Sequence, residues 1–492
     1  MRKAIAIVAA FILIVPVTIV LVFAIQARVL LPDLRPWHRL ILKSEFRAGR
    51  SDTPKTFEEY LQLEGRPFAE LRSRVMDDAG VADRYAIGRF NPATIPAKLA
   101  LDTPYNHSFE LVPETIRGAI LLVHGLSDSP YSMRAVAEIF RDQGFYVLVL
   151  RLPGHGTIPS GLLNVRWEDW YAAVELAAKH AASRAGPDHP FYVGGFSTGA
   201  ALTALYSLHS LSEASLPRPK RLFVISPAIG ISKAAALTEI LAGFSFIPYF
   251  EKSKWIDVLP EYDPYKYNSF PVNAAQQIHE LTGELSRALD DNDEAGRLSG
   301  MPRVLAFQSL VDATITAHEI IDGLLLRLAT SGNELVVFDI NRNESLQSLI
   351  EPSRVAEFER LRASPARPFR LTLITNRDPD SQEVAAFTRE AGTREVTETD
   401  LGLRWPRGVL SLGHVALPFL EDDPVYGLTP KRDGPLDYPL GALTVRGEGG
   451  TLVVPLGNLA RLRSNPFFSV IRDRIVAAID VDRALEESKA AL

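Results

Sequence analysis

Short, wholly apolar runs recur through the middle of the chain, and longer stretches with helical periodicity separate them. Residues 119–123 (Ala-Ile-Leu-Leu-Val) and 146–150 (Tyr-Val-Leu-Val-Leu) are two such runs. Runs of this length without polar positions predict strands that are buried on both faces, as in a parallel sheet. Together with one alternating run, the predicted strands are 108–112, 119–123, 146–150, 191–193, 222–225, 303–307, 334–338, 369–374 and 451–454.

Between the strands, apolar positions at helical spacing predict helices. The first two, 56–63 and 67–75, are expected to be separate because Gly65 lies between them. Strands that alternate with helices indicate an α/β fold with a mostly parallel central sheet and helices on both faces. The remaining predicted helices are 132–143, 167–182, 200–206, 317–330, 353–362 and 468–485.

Two segments break this alternation. Residues 228–300 are helical in pattern and rich in aromatic side chains, which favours a cap over an apolar substrate pocket, since ligand sites are mostly apolar concavities. An ordinary helical excursion with its own small core is the alternative interpretation. Residues 340–405 are predicted to be an added αβ excursion, and the sequence assigns no chemistry to it.

The N-terminus carries the longest apolar run. Residues 4–25 contain no charge over 22 positions, and as a helix they would be roughly 33 Å long, enough for a bilayer core of about 30 Å. Arg2 and Lys3 favour a cytoplasmic N-terminus, with the rest of the chain periplasmic or extracellular. We predict an uncleaved anchor at 1–27, a lead-in at 28–105 and the main domain at 106–492. A cleaved signal peptide, which would release a secreted protein, and a buried soluble helix are the alternatives.

Composition narrows the function classes. The chain has 492 residues, 47% hydrophobic and 23% charged, which suffices for one to three domains. A net charge of −6 without a basic stripe argues against a nucleic-acid partner. The absence of cysteine excludes disulfides, thiolate metal sites and a cysteine nucleophile. No His-x-x-x-His pattern or carboxylate cluster suggests a metal site, so neither a metal nor another cofactor is expected.

Residues 195–199 read Gly-Phe-Ser-Thr-Gly and lie between a predicted strand and a predicted helix. Gly-x-Ser-x-Gly in this position is typical of a tight turn that exposes a serine nucleophile. Gly195 and Gly199 fit this role because the turn leaves no room for side chains on either side of Ser197. A glycine-rich turn without chemistry is the alternative, so the hypothesis depends on accompanying groups.

Acyl transfer also needs two donors directed at the developing oxyanion. The N–H of Thr198, the residue after the candidate nucleophile, is the first predicted donor. The strand 119–123 leads into His124 and Gly125, and the N–H of Leu126 in this loop is the second.

Three motifs occur in order along the chain: Val-His-Gly-Leu at 123–126, Arg-Leu-Pro-Gly-His-Gly at 151–156, and Gly-Phe-Ser-Thr-Gly at 195–199. Together they resemble the α/β-hydrolase superfamily, and most closely its carboxylesterase and monoacylglycerol-lipase-like branch. The resemblance covers about residues 106–338 and 405–485. It implies the α/β-hydrolase fold and a nucleophile followed along the chain by an acid and then a histidine.

The resemblance places the acid shortly after a late strand. Asp312, which follows the strand 303–307, is the predicted acid, and Asp339 is the alternative. His318 is too close in sequence to Asp312 to reach across the end of the sheet, so His414 is the predicted base. His414 lies 102 positions after Asp312, a longer gap than the family usually shows, and the added excursion accounts for the excess.

These residues predict a membrane-anchored serine hydrolase that cleaves carboxylic esters, acyl or lipid-like, through an acyl-enzyme. His414 would take the proton of Ser197, and Asp312 would orient the resulting imidazolium. His124 and His155 are expected to be hydrogen-bonded loop residues that shape the site. An acyltransferase or a serine peptidase could use the same groups, and a non-catalytic binding protein on a hydrolase scaffold is a further alternative.

Overall fold

The computed structural model describes residues 31–78, 87–230, 248–312, 316–328, 331–343, 349–363, 365–431, 437–443, 452 and 454–490. The predicted anchor at 1–27 therefore lies outside the described residues, as does much of the predicted strand 451–454. Within the ranges just given, no helix combines the length and the apolar character that crossing a bilayer requires.

A central sheet organises the described residues. Its members are β1 (Phe109–Leu111), β2 (Gly118–Val123), β3 (Phe145–Leu150), β4 (Phe191–Phe196), β5 (Arg221–Ile225), β8 (Arg303–Ser309), β9 (Glu334–Phe338), β10 (Arg370–Asn376), β11 (Glu383–Arg389) and β12 (Val396–Arg404), and a separate pair is formed by β6 (Trp255–Asp257) and β7 (Phe270–Pro271). The spatial order is β1-β3-β2-β4-β5-β8-β9-β10-β11-β12. Pairing is parallel from β3 through β10 and antiparallel at β1, β11 and β12, which confirms the predicted mostly parallel sheet.

Helices cover both faces of this sheet, as predicted. They are α1 (Pro36–Arg39), α2 (Phe57–Leu71), α3 (Ile95–Asp102), α4 (Arg134–Asp142), α5 (Trp167–Ala185), α6 (Thr198–His209), α7 (Val272–Glu294), α8 (Ala317–Ile320), α9 (Pro352–Arg362), α10 (Leu456–Leu459) and α11 (Phe468–Ala490). The side chains of β2 alternate between two cores. Leu121 and Val123 pack in the core that includes α5 and α6, whereas Ile120 and Leu122 pack in the core that includes α4 and α11.

The predicted break at Gly65 is wrong. A single helix, α2, passes through Gly65 and Pro67 and continues as a π-helical turn at Arg72–Met76. The side chain of Thr56 caps its first turn by accepting a hydrogen bond from the Glu59 N–H. A proline inside a helix costs about 3 kcal/mol. Burial of four large side chains of this helix, at about 1.5–3 kcal/mol each, offsets that cost; they are Phe57, Tyr60, Phe68 and Leu71.

The excursion at 340–405 extends the central sheet. Its predicted helix and first strand are present as α9 and β10, and β10 pairs in parallel with β9. The strands β11 and β12 then continue the sheet in antiparallel pairing, which the sequence did not predict. Between α9 and one face of β10–β12 lies a groove of about 660 Å³, and its lining residues include none of the predicted site residues.

Candidate active site

Ser197 stands between the end of β4 and the start of α6. Its backbone has φ +53° and ψ −113°, a conformation that costs a non-glycine residue on the order of 1–3 kcal/mol. The hydrogen bond from the Ser197 N–H to the Ile225 carbonyl (2.9 Å) holds this turn against β5. A Cβ at Gly199 would collide with the Val123 carbonyl oxygen, and one at Gly195 with the Gly199 backbone, so both glycines are sterically required.

The two predicted oxyanion donors flank this turn. Thr198 is the first residue of α6, where a helical N–H has no partner within the helix. Leu126 follows the end of β2, a strand that pairs directly with β4. Among the described residues, neither N–H has an acceptor within hydrogen-bond distance. Both groups are therefore available to a ligand oxygen.

The structure brings Asp312 and His414 together. Their Oδ1 and Nδ1 atoms are 3.4 Å apart, and Asp312 is buried. Asp312 Oδ2 also accepts a hydrogen bond from Gln308 Nε2 (3.1 Å), which fixes the carboxylate orientation. The His414 ring lies 6.2 Å, centroid to centroid, from the ring of Phe196, the residue immediately before Ser197. Ser197 follows β4 and Asp312 follows β8, two parallel strands with β5 between them. Both residues, with His414 beside Asp312, therefore lie at the edge formed by the carboxyl ends of the strands, where open α/β sheets bind ligands.

Residues 409–414 form the loop that carries His414, here called the histidine loop. Contacts that the sequence did not reveal hold this loop in place. The Ser309 hydroxyl, at the end of β8, donates to the Leu412 carbonyl. Asn341, just after β9, donates from its N–H to the Leu410 carbonyl (2.7 Å) and from Nδ2 to the Val409 carbonyl (3.1 Å). The chain therefore returns from the 340–405 excursion to the strand ends it left, and this return positions His414 beside Asp312.

The other histidines occupy different environments. His124 is fully buried, receives a hydrogen bond from the Leu152 N–H at Nε2 (3.0 Å), and lies 2.8 Å through Nδ1 from the Gly125 carbonyl. These contacts use both ring nitrogens, so His124 supports the loop. His155 packs against it with ring centroids 5.0 Å apart. His318 has Glu357 as its nearest carboxylate, at 3.9 Å.

Electrostatics keep His414 in the form a base requires. Burial lowers the pKa of His414, the Asp312 carboxylate raises it, and the positive charges of Arg461 and Lys266 lower it again. The net effect is a pKa below the ordinary value of 6.5. At neutral pH the imidazole is therefore uncharged and able to accept a proton.

A cavity of about 250 Å³ lies beside Ser197 and His414. It is bounded by Phe196 and Val415 on the side of the serine and histidine, and by part of the 228–300 segment on the other. From that segment Tyr267 is buried, and its N–H donates to the Ser127 carbonyl in the loop after β2 (2.8 Å). In the described ranges, no group of three His, Asp or Glu side chains is arranged to hold a metal ion.

Comparison with known proteins shows similarity to hydrolases over part of the chain. A family model described as "Serine aminopeptidase, S33" matches residues 114–290. A protein named "Thermostable monoacylglycerol lipase", from Bacillus sp. (strain H-257), is 30% identical over 172 residues. That match covers 35% of this chain and 64% of the relative, so the chain spans slightly less than two thirds of the relative's length. Over this part of its length the chain resembles a serine hydrolase family and a monoacylglycerol lipase.

Solved structures of similar proteins carry related descriptions. One, from a study of the metagenome-derived lipolytic enzymes LipS and LipT, is 22% identical and covers 52% of this chain and 98% of that chain, with a TM-score of 0.38. A soluble variant of monoglyceride lipase from Saccharomyces cerevisiae is 13% identical and covers 47% and 81%, with a TM-score of 0.38. The family match ends at residue 290, so Asp312 and His414 lie beyond it.

Proposed function

We propose that this protein is a serine ester hydrolase in which Ser197 attacks the carbonyl carbon of an acyl ester. His414 accepts the Ser197 proton and later returns it to the leaving alcohol, and Asp312 orients the imidazolium. The amides of Leu126 and Thr198 bind the oxyanion, and water then releases the acid from the acyl-enzyme. The observation that carries the proposal is a serine at φ +53° on a glycine-bounded turn at the same sheet edge as the Asp312–His414 pair.

Activity-based labelling tests this assignment. A fluorophosphonate probe should label the native protein at Ser197, and Ser197→Ala should lose both labelling and hydrolysis of 4-nitrophenyl esters. Ser226 supplies a matched control because it also follows a central strand with positive φ (+43°) but is completely buried. The Ser226→Ala variant should keep its labelling. Labelling that survives in Ser197→Ala would overturn the proposal.

Peptidase activity is the second candidate, because the matched family model is described as a serine aminopeptidase. Peptide cleavage would use the same nucleophile, base and oxyanion donors. Aminoacyl 4-nitroanilides assayed beside 4-nitrophenyl esters separate the two reactions. A higher kcat/KM for the anilides would favour the peptidase.

We also propose that part of 228–300 caps the site and that residues 4–25 attach the protein to a membrane. The cap is supported by buried aromatic side chains beside the 250 Å³ cavity, and the attachment by the uncharged run of 22 residues. A cap and a membrane surface suit a lipid-derived ester. Probe labelling of separated membrane and soluble fractions should recover the signal with the membranes, and recovery in the soluble fraction would contradict the attachment.

A further inference from the structure

Among the described residues, three cationic side chains line the cavity beside His414, and two of them form ion pairs with carboxylates. Lys266 Nζ lies 2.6 Å from Asp128 Oδ1. Arg463 lies 3.3 Å from Asp263. Both carboxylates are buried, so each of these cations has its counter-ion in place.

Arg461 is the third cation, and its surroundings differ. Among the described residues, no carboxylate lies within 4.0 Å of its guanidinium. Its hydrogen-bond contact is with His414 Nδ1 at 3.5 Å, an atom that also lies 3.4 Å from Asp312. A guanidinium can only donate, and 3.5 Å is at the limit of a hydrogen bond, so this contact leaves most of its donors unused.

The position of Arg461 places its N–H donors at the wall of the cavity. Its Nε lies 3.4 Å from where a Cβ on Gly413 would stand, so the guanidinium is beside the histidine loop and lines the cavity. Partial burial lowers the pKa of Arg461, and the carboxylates of Asp312 and Asp128 offset only part of this effect. Asp257 also lines the cavity but forms no ion pair with a described cation.

We propose that Arg461 binds an anionic group of the substrate, so that the site prefers acyl esters that carry a carboxylate or a phosphate close to the scissile bond. This inference rests on the proposed ester hydrolysis. A planar guanidinium binds either group through two parallel N–H···O bonds, which a lysine cannot reproduce. Arg461 thereby determines specificity, and its charge lies next to the base without taking part in proton transfer.

Matched substrate pairs test the inference. One pair is 4-nitrophenyl butyrate and the 4-nitrophenyl monoester of glutarate, which places a carboxylate on the acyl chain. The other is monobutyryl glycerol and its glycerol phosphate counterpart, which places a phosphate on the alcohol. The measured quantity is the ratio of kcat/KM for the anionic ester to that for its neutral partner.

The Arg461→Gln variant should lower this ratio by tenfold or more for at least one pair, and that pair identifies the anion. Arg461→Lys should fall between the native protein and Arg461→Gln. Arg472→Gln removes the same charge from an exposed site on α11 and should leave both ratios unchanged. Ratios that stay at the native value in Arg461→Gln would overturn the inference while leaving ester hydrolysis intact.

Binding provides a readout that does not depend on turnover. By calorimetry, the Ser197→Ala protein should bind the glutarate or glycerol phosphate ester, and Ser197→Ala/Arg461→Gln should bind it at least tenfold more weakly. Equal binding by the two variants would overturn the anion site. Tight, Arg461-dependent binding to a native protein that hydrolyses no ester would instead overturn the proposed function and leave the anion site standing.

Discussion

Two neighbouring strands of the central sheet, β8 and β9, each lead into a buried aspartate, and the two aspartates have different partners. Asp312, after β8, faces the Nδ1 atom of His414. Asp339, after β9, receives hydrogen bonds from Arg342 Nη2 (2.8 Å) and from the Thr375 hydroxyl (2.7 Å). Burial raises the pKa of Asp339, and both of these contacts oppose that rise. The ends of two adjacent parallel strands thus carry one carboxylate that contacts a histidine and one that forms a buried ion pair.

The partners of Asp339 show which elements that carboxylate connects. Thr375 belongs to β10, and the Arg342 guanidinium lies 4.1 Å from the centre of the Phe358 ring on α9. Asp339 therefore joins the end of β9 to the helix and first strand of the 340–405 extension. Asp312 joins the end of β8 to the histidine loop.

The largest expected effect separates the two aspartates by catalysis. Asp312→Asn removes the charge that stabilises the His414 imidazolium and disturbs its tautomer, so we expect kcat for 4-nitrophenyl esters to fall by about 10³-fold or more. Asp339→Asn should keep kcat within about threefold of the native value at a temperature where it is folded, because none of the observed Asp339 contacts reaches His414. Steady-state kinetics on both variants, with circular dichroism to confirm folding, give the comparison. A greater loss of kcat in Asp339→Asn would reverse the assignment of the acid.

In stability, Asp339→Asn should lose more than Asp312→Asn. Asp339→Asn leaves the buried Arg342 cation without its carboxylate, and breaking a buried ion pair costs about 3–5 kcal/mol, less where the amide oxygen still accepts a hydrogen bond. We expect a loss of about 3 kcal/mol in the free energy of unfolding, measured by urea titration. Asp312→Asn should lose less, since its partner His414 is uncharged at neutral pH. Equal losses in the two variants would show that Asp339 does not fasten the extension.

Sequence patterns predicted the parts of this molecule whose signals are local. The apolar run 119–123 predicted a strand buried on both faces, and β2 has that environment. The glycines around Ser197 predicted a tight turn, and collisions at both positions explain why the turn needs them. The choice between Asp312 and Asp339 also had an unused local signal. Arg342 is three positions after Asp339 and forms an ion pair with it.

Other features depend on contacts between distant parts of the chain. The helix α2 continues through Gly65 and Pro67 because its buried side chains outweigh local propensity. The strand β12 is exposed along most of its length, so its sequence lacks an apolar face that would predict it. Arg461 lies 47 positions after His414, and only the folded chain brings its guanidinium within 3.5 Å of the imidazole.

The smallest expected effect is a shift in the pH dependence of activity. Among the described residues, the charged groups that act on His414 are Asp312, Arg461 and Lys266. Burial together with the two cations outweighs the carboxylate, so the pKa of His414 is lowered. A lowered pKa keeps the base neutral to a lower pH. The value of kcat/KM for a neutral ester should therefore stay level down through pH 6.5 and fall only below it.

Removing the Asp312 carboxylate, which raises the pKa of His414, should move the acid limb of the residual activity to still lower pH, whereas Asp339→Asn should leave that limb in place. Assays at each pH, with activity recovered on return to pH 7 to exclude acid unfolding, measure this limb. A midpoint at or above pH 6.5 in the native protein would contradict the lowered pKa of His414. A shift in Asp339→Asn equal to that in Asp312→Asn would contradict the pairing of Asp312 with the base.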